Sequence, residues 1–177
     1  MSYFKGPNKA IHFHDGTTVI ALERRDGSVL PCLIDTADWE LVRHHRWHAH
    51  RKSVTVSFYA FNVCKERLHS LLLPDVKMVD HHDRNGLNNR RINLRPATNS
   101  QNMANSRKPR NGLSSQFKGV VFRKICGKFQ ARVRGIHLGN FVSEYDAAAA
   151  YNAAATNYYG EFALLNDLRA VELKKAA

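Results

Sequence analysis

The chain has 177 residues, enough for one domain or two small ones, and 44% of them are hydrophobic, which argues against global disorder. Its formal net charge of +12 points to a polyanionic partner, nucleic acid ahead of a membrane surface. No apolar run approaches the ~18 residues that span a bilayer, residues 1–15 lack a signal-peptide core, and Cys32, Cys64 and Cys126 are too scattered for a disulfide framework or a cysteine-built zinc site.

Residues 1–10 read as a loose, basic start. Residues 17–22 and 29–34 read as strands around an Asp26-Gly27 hairpin turn. Asp35 and Asp38 are placed to cap a short helix through about Arg43. His44, His45, His48 and His50 lie close together, but no acid is near and their neighbours are cationic. That run therefore reads as a basic, partly aromatic surface rather than a metal site. Residues 54–63 are rich in β-branched and aromatic side chains and read as a strand. Residues 68–73 are apolar but too few to assign by periodicity; Pro74 ends them.

The chemistry concentrates in Val79-Asp80-His81-His82-Asp83-Arg84-Asn85-Gly86-Leu87-Asn88-Asn89-Arg90-Arg91-Ile92-Asn93-Leu94-Arg95. An apolar approach leads to an acid–histidine pair, and Asn85-Gly86 favours a tight turn. Residues 91–95 read as a second short strand. Thr98 and Gln101 form a capping box that starts a helix with Asn102 in its first turn. On this frame Asp80, His81, Asn93 and Asn102 can converge, and those types suit phosphodiester hydrolysis. A carboxylate and a carboxamide oxygen suit a hard divalent cation, and an imidazole takes a proton from water near neutral pH. Asn93 can accept from one ring nitrogen and leave the other as base.

The order Asp80-His81-x-Asp83, then Asn88-Asn89-Arg90-x-x-Asn93-Leu94-Arg95-x-x-Thr98-x-x-x-Asn102, resembles the HNH endonuclease motif, above all its phage and intron homing branch. The resemblance covers residues 68–105 and implies a ββα-metal fold. By it, Asp80 and Asn102 would hold one Mg2+ or Mn2+ per active site, His81 would be the general base, and Asn93 would orient His81. Where such proteins often carry His-Arg-Leu upstream, this chain has Leu68-His69-Ser70-Leu71, so His69 reads as a packed histidine.

Residues 105–112 hold turn formers and cations without an apolar side chain and read as a linker. Beyond them, residues 117–123, 128–134 and 136–141 read as a three-stranded antiparallel meander. In the middle strand Phe129, Ala131 and Val133 face one way, and Lys128, Gln130, Arg132 and Arg134 the other. Ser143 and Asp146 form a second capping box. Ala147, Ala150, Tyr151, Ala154, Ala155 and Tyr158 then recur at helical spacing before a stop at Gly160. From Asn105 to Ser143 there is no Asp or Glu, while nine Lys or Arg occur.

Phe117-Lys118-Gly119-Val120, Gly127-Lys128-Phe129-Gln130-Ala131, His137-Leu138-Gly139-Asn140-Phe141, Asp146-Ala147-Ala148 and residues 160–166 resemble the ethylene-response-factor (AP-two type) DNA-binding domain. The resemblance implies a sheet laid in the DNA major groove, with Lys118, Arg123, Arg132, Arg134, His137 and Asn140 facing DNA. Arginines there would read guanine edges or hold phosphates.

The expected fold is α+β: an N-terminal β-rich region leading into a ββα-metal nuclease core over residues 1–104, a basic linker over 105–114, a three-stranded antiparallel sheet packed on one α-helix over 115–166, and a tail over 167–177. The expected function is metal-dependent endonuclease action on double-stranded DNA in the cytoplasm of a bacterial or phage-infected host, without a membrane or an obligatory protein partner. One active site per chain would nick rather than cut both strands. The alternative is a non-catalytic, sequence-specific DNA-binding regulator with a decayed nuclease module, ranked lower because all four catalytic types stand at the required spacing. A basic RNA binder ranks below that, as nothing resembles the aromatic platforms of single-strand RNA modules.

Overall fold

A computed structural model describes residues 7–51, 57–108 and 114–169. The chain is α+β and separates into two compact units, residues 1–99 and 100–177.

In the first unit, β1 (Ala10–His12), β2 (Thr17–Glu23) and β3 (Val29–Asp35) form an antiparallel sheet in that order. β1 emerges from the stretch read as a loose start; it pairs with residues 18–20 of β2. The β2–β3 hairpin turns through Gly27 at φ +82, where Asp26-Gly27 placed it. Alternation sends Thr18, Ile20 and Leu22, with Cys32 and Ile34, to the buried side.

A 3-10 turn (Thr36–Asp38) leads into a single helical turn, α1 (Trp39–Val42), without the expected caps. The Asp35 carboxylate instead accepts the Arg91 backbone N–H at 2.7 Å. Asp38 takes the Arg91 guanidinium in a forked grip, Nε at 3.0 and 3.1 Å and Nη2 at 2.7 Å. A charge-assisted fork is roughly twice as strong as a neutral hydrogen bond, so it outcompetes a cap.

β4 (His48–Arg51) pairs antiparallel with β5 (Phe58–Phe61). Of the strand expected over 54–63, residues 54–56 lie outside the described residues. The unassigned apolar run is helix α2 (Leu68–Leu72), which buries Leu68, His69 and Leu72. β6 (Val79–His81) and β7 (Leu94–Pro96) form an antiparallel pair, Asp80 opposite Arg95 and His81 opposite Leu94. The strand expected from Arg91 starts three residues late, because Arg91–Asn93 coil into a 3-10 turn. Ile20, Leu22, Ile34, Trp47, Ala60, Leu68, Val79, Leu87 and Leu94 share one interior. The sheet, the β4–β5 ribbon and the β6–β7 pair are thus a single packed body.

The second unit holds most of α3 (Asn99–Asn105), which begins directly after Thr98, as the capping-box position required. β8 (Val120–Arg123), β9 (Lys128–Val133) and β10 (Ile136–Phe141) make the antiparallel meander. β8 is shorter than the expected 117–123, because Gly119 turns the chain at φ +75. A Cβ at that glycine would sit 2.0 Å from the Tyr151 ring and 2.7 Å from the Arg132 carbonyl. Helix α4 (Glu144–Tyr159) starts at Ser143, whose Oγ accepts from Tyr145 N and Asp146 N, and stops at Gly160. Ala147, Tyr151 and Ala155 are buried as the stripe predicts, joined by Ala148. Tyr158 is exposed; Tyr159 packs in its place, where the chain passes into a 3-10 turn (Gly160–Phe162). Among the described residues no helix is long and apolar enough to cross a membrane.

Candidate active site and nucleic-acid face

Asp80 and His81 end β6 and are 3% and 5% exposed. Burial at a strand end inside a shared core explains why these two polar groups need partners. Arg95, opposite on β7, places Nε and Nη2 each 2.9 Å from Asp80 Oδ2. The His81 ring stands among aromatic neighbours, 5.0 Å from the His69 ring and 5.8 Å from Tyr59 between centroids. Its Nε2 lies 3.1 Å from Asn89 Oδ1. Burial pulls the His81 pKa below the usual histidine value, against the Asn89 hydrogen bond and the Asp83 and Asp80 charges, so the ring is neutral at pH 7.

Asn93 acts elsewhere than expected. Its carboxamide does not reach the His81 ring; Oδ1 accepts from Asp83 N at 3.0 Å, and Nδ2 donates to Asp83 Oδ1 at 3.0 Å and Asn88 O at 2.7 Å. The physical reason is the loop between β6 and β7. Its own polar groups need satisfying before the ring does, and Asn93 braces it from inside. Asp83 is the hub, also accepting from Asn85 N and Asn88 Nδ2. Burial alone would raise the Asp83 carboxyl, but these hydrogen bonds hold it below the ordinary value. A tight turn stands where Asn85-Gly86 suggests it: Asn88 N–H donates to Asn85 O at 2.9 Å. Arg84 takes the left-handed conformation at φ 65, while Gly86 is small because a Cβ there would lie 2.4 Å from Phe58 O and 2.5 Å from the Tyr59 ring.

Asn102 lies on α3 in the second unit. Among the described residues no three His, Cys, Asp or Glu side chains gather as a metal-holding group, the His44–His50 run included. A cation at Asp80 would therefore draw on carboxamide, phosphate or water oxygens as well.

The second unit presents a cationic sheet face. Register sets His137 beside Arg132, Asn140 beside Gln130, and Arg123 beside Lys128, so these share the side opposite buried Ala131 and Val133. Arg123 donates to Gln130 Oε1 from Nε at 3.0 Å and Nη2 at 2.8 Å, and His137 Nε2 is 3.4 Å from Asn140 Oδ1. Arg134 is not on the strand face; it occupies the β9–β10 turn at φ 51. Lys118 departs further. Its ammonium donates to the carbonyls of Met103 (3.0 Å) and Ala104 in the last turn of α3, and of Ser106 just past it (2.7 Å). Lysine beside a helix C-terminus is favoured by the helix dipole.

A protein of Acanthamoeba polyphaga mimivirus described as an uncharacterized HNH endonuclease is 34% identical to this chain over 143 residues, covering 73% of this chain and 71% of that one. The chain belongs to the HNH endonuclease family. No family model and no solved structure matches it.

Within this HNH chain, sequence reasoning missed Asn89, the side chain that meets the base candidate, and Tyr59 and His69 against its ring. Asn89 stands in the quoted motif, yet nothing local tells it from Asn88. The signal that separates them is burial from β3, 56 residues away.

Proposed function

We propose that this HNH chain is a metal-dependent DNA endonuclease, of homing or phage type, that hydrolyses phosphodiester bonds with His81 as general base. The observation that carries the reading is the buried imidazole of His81, next in sequence to the buried Asp80 and within hydrogen-bond distance of Asn89 at one ring nitrogen. A neutral imidazole can accept a proton from water, a contribution of typically ~10²–10⁴-fold.

By the resemblance, Asp80 would offer a carboxylate oxygen and Asn102 a carboxamide oxygen, hard ligands of the kind that suit one Mg2+ or Mn2+. When bound, the cation would stabilise charge on the scissile phosphate and the leaving oxygen. Arg95 fixes the Asp80 carboxylate, and Asn93 with Asp83 keeps the loop beside it from shifting. The outward sheet face, with Arg123, Arg132, His137 and Asn140, supplies contacts to double-stranded DNA. Lys118 and Arg134 drop from that group or move to its edge.

Arg95 favours the second reading, a regulator that binds DNA without cutting, because a cation already stands at Asp80. His81 outweighs it: a decayed site has no reason to keep a buried histidine aligned by a second polar side chain. The test is incubation of supercoiled plasmid with the wild-type chain and His81→Ala, in Mg2+ and in EDTA. Relaxed or linear product should form only with wild type and Mg2+, while both proteins shift the plasmid on a gel. Cleavage in EDTA, or by His81→Ala, would end the mechanism; binding without cleavage under any metal would establish the regulator.

A further inference from the structure

We propose that Asn89 selects the tautomer of His81, accepting Nε2–H at its carboxamide oxygen so that Nδ1 is the atom that takes the proton. This rests on the reading of His81 as general base.

Asn89 is fully buried, and residues 87–89 of its loop are clamped to β3 around Asn88. The Asn89 N–H donates to Leu33 O at 2.7 Å, and Leu33 N donates back to Leu87 O at 2.8 Å, a parallel bridge in the middle of the loop. The far end of the Asn89 carboxamide is also engaged: Nδ2 donates to Cys32 Sγ at 3.3 Å. Cys32 is itself buried, and burial pushes its thiol up to about 12, so the sulfur is a neutral, weak acceptor at working pH. With the amide nitrogen turned to sulfur, the oxygen faces the ring 3.1 Å away. A carboxamide oxygen has only lone pairs to offer, so the ring nitrogen opposite it must carry hydrogen.

Two consequences follow chemically. The lone pair sits on Nδ1, and proton transfer from water breaks an O–H bond and forms N–H there. The resulting imidazolium keeps its Nε2–H on the same fixed oxygen, which stabilises the charged ring without any rearrangement. Asn93 then serves the base at one remove, since it holds the carbonyl of Asn88, the neighbour of Asn89. Asn89 is a positioning residue, and β3, which looks purely structural, is its mount.

The test uses the full chain labelled with 15N-histidine, free of metal, at a fixed pH of about 7.5. Long-range 1H–15N spectra report which ring nitrogen carries hydrogen, and the His81 signals are those absent from His81→Ala. Wild type should show the Nε2–H form. Asn89→Asp keeps an acceptor oxygen and should keep that form. Asn89→Leu should lose the preference and cleave about 10–100-fold more slowly, with DNA binding unchanged, a share of the general-base contribution. An Nδ1–H ring in the wild type would overturn the proposal by itself, even if Asn89→Leu fails to fold. A lost preference with undiminished cleavage would uphold the hydrogen bond and overturn instead the assignment of His81 as base.

Discussion

His69 should make the N-terminal unit acid-sensitive, by an amount that can be worked out. The residue is 6% exposed, and its ring meets those of His81 and Tyr59. Burial first, then the His81 and Arg67 charges, lower its pKa from 6.5 to about 3. In the unfolded chain it regains a proton near pH 6.5; in the folded chain it does not until near pH 3. Between those limits the unfolded state holds more protons, so stability is full above pH 6.5 and falls as pH drops. At 1.36 kcal/mol per pH unit, the loss is about 1.4 kcal/mol at pH 5.5 and about 2.7 kcal/mol at pH 4.5. Against a domain stability of roughly 5–15 kcal/mol that is a large fraction. Trp39 and Trp47 are the two tryptophans of the chain and both belong to this unit, so their fluorescence in urea reports it alone. His69→Phe keeps a ring and removes the titration. Its own stability loss between pH 7 and pH 4.5 should be smaller than that of wild type by about 2.7 kcal/mol. His81, also lowered by burial, contributes a loss of the same sign that persists in the variant. Equal pH dependence in the two proteins would refute the reasoning, since His69 would then take up its proton without unfolding.

Other outcomes are as definite. Gly86→Ala would push a Cβ into Phe58 O and Tyr59, so it should lower the stability of the first unit by about 1–3 kcal/mol in the same urea assay; a neutral change would mean the loop can lift off β5. Arg91→Met should cost about 1–3 kcal/mol by leaving buried Asp38 without its fork, and Asp38→Asn in the same background should recover part of it; no recovery would mean the pair is not coupled. If the sheet face makes ~6 phosphate contacts, log K for DNA should fall against log salt with a slope of roughly −5, and Arg132→Ala should flatten that slope by about 1. Lys118→Met should destabilise the second unit yet leave the salt slope unchanged, because its ammonium is occupied by carbonyls at the end of α3 and just past it; a flatter slope would return it to the DNA contacts.

What was legible in the sequence was what short-range chemistry determines. The Asp26-Gly27 hairpin, the Ser143 cap and the Gly160 stop each depend on residues within four positions, and each stands where expected. The inward set Ala131 and Val133 followed from alternation alone. The misplacements came from partners far along the chain. Asp35 and Asp38 read as caps until Arg91, 53 residues beyond Asp38, claims both. β1 carries no pattern of its own and exists because β2 offers it an edge. Lys118 looks like any basic strand residue until the end of α3 and Ser106 beyond it supply three carbonyls. In the site, the motif spacing located the acid–histidine pair, but which asparagine touches the ring depends on where β3 lies beneath the loop.

The Lys118 clamp has a consequence for anyone who would exchange recognition modules. The basic stretch near residue 110 invites a cut there, with a new DNA-reading head joined downstream. Such a chimera would strip α3 of the ammonium that seats its last turn and of the Leu164 N–H that binds Ala104 O. The helix bearing Asn102 would then lose both of those contacts at its last turn. A working graft must bring its own replacement for that lysine, or begin upstream of α3 and import the helix with the head.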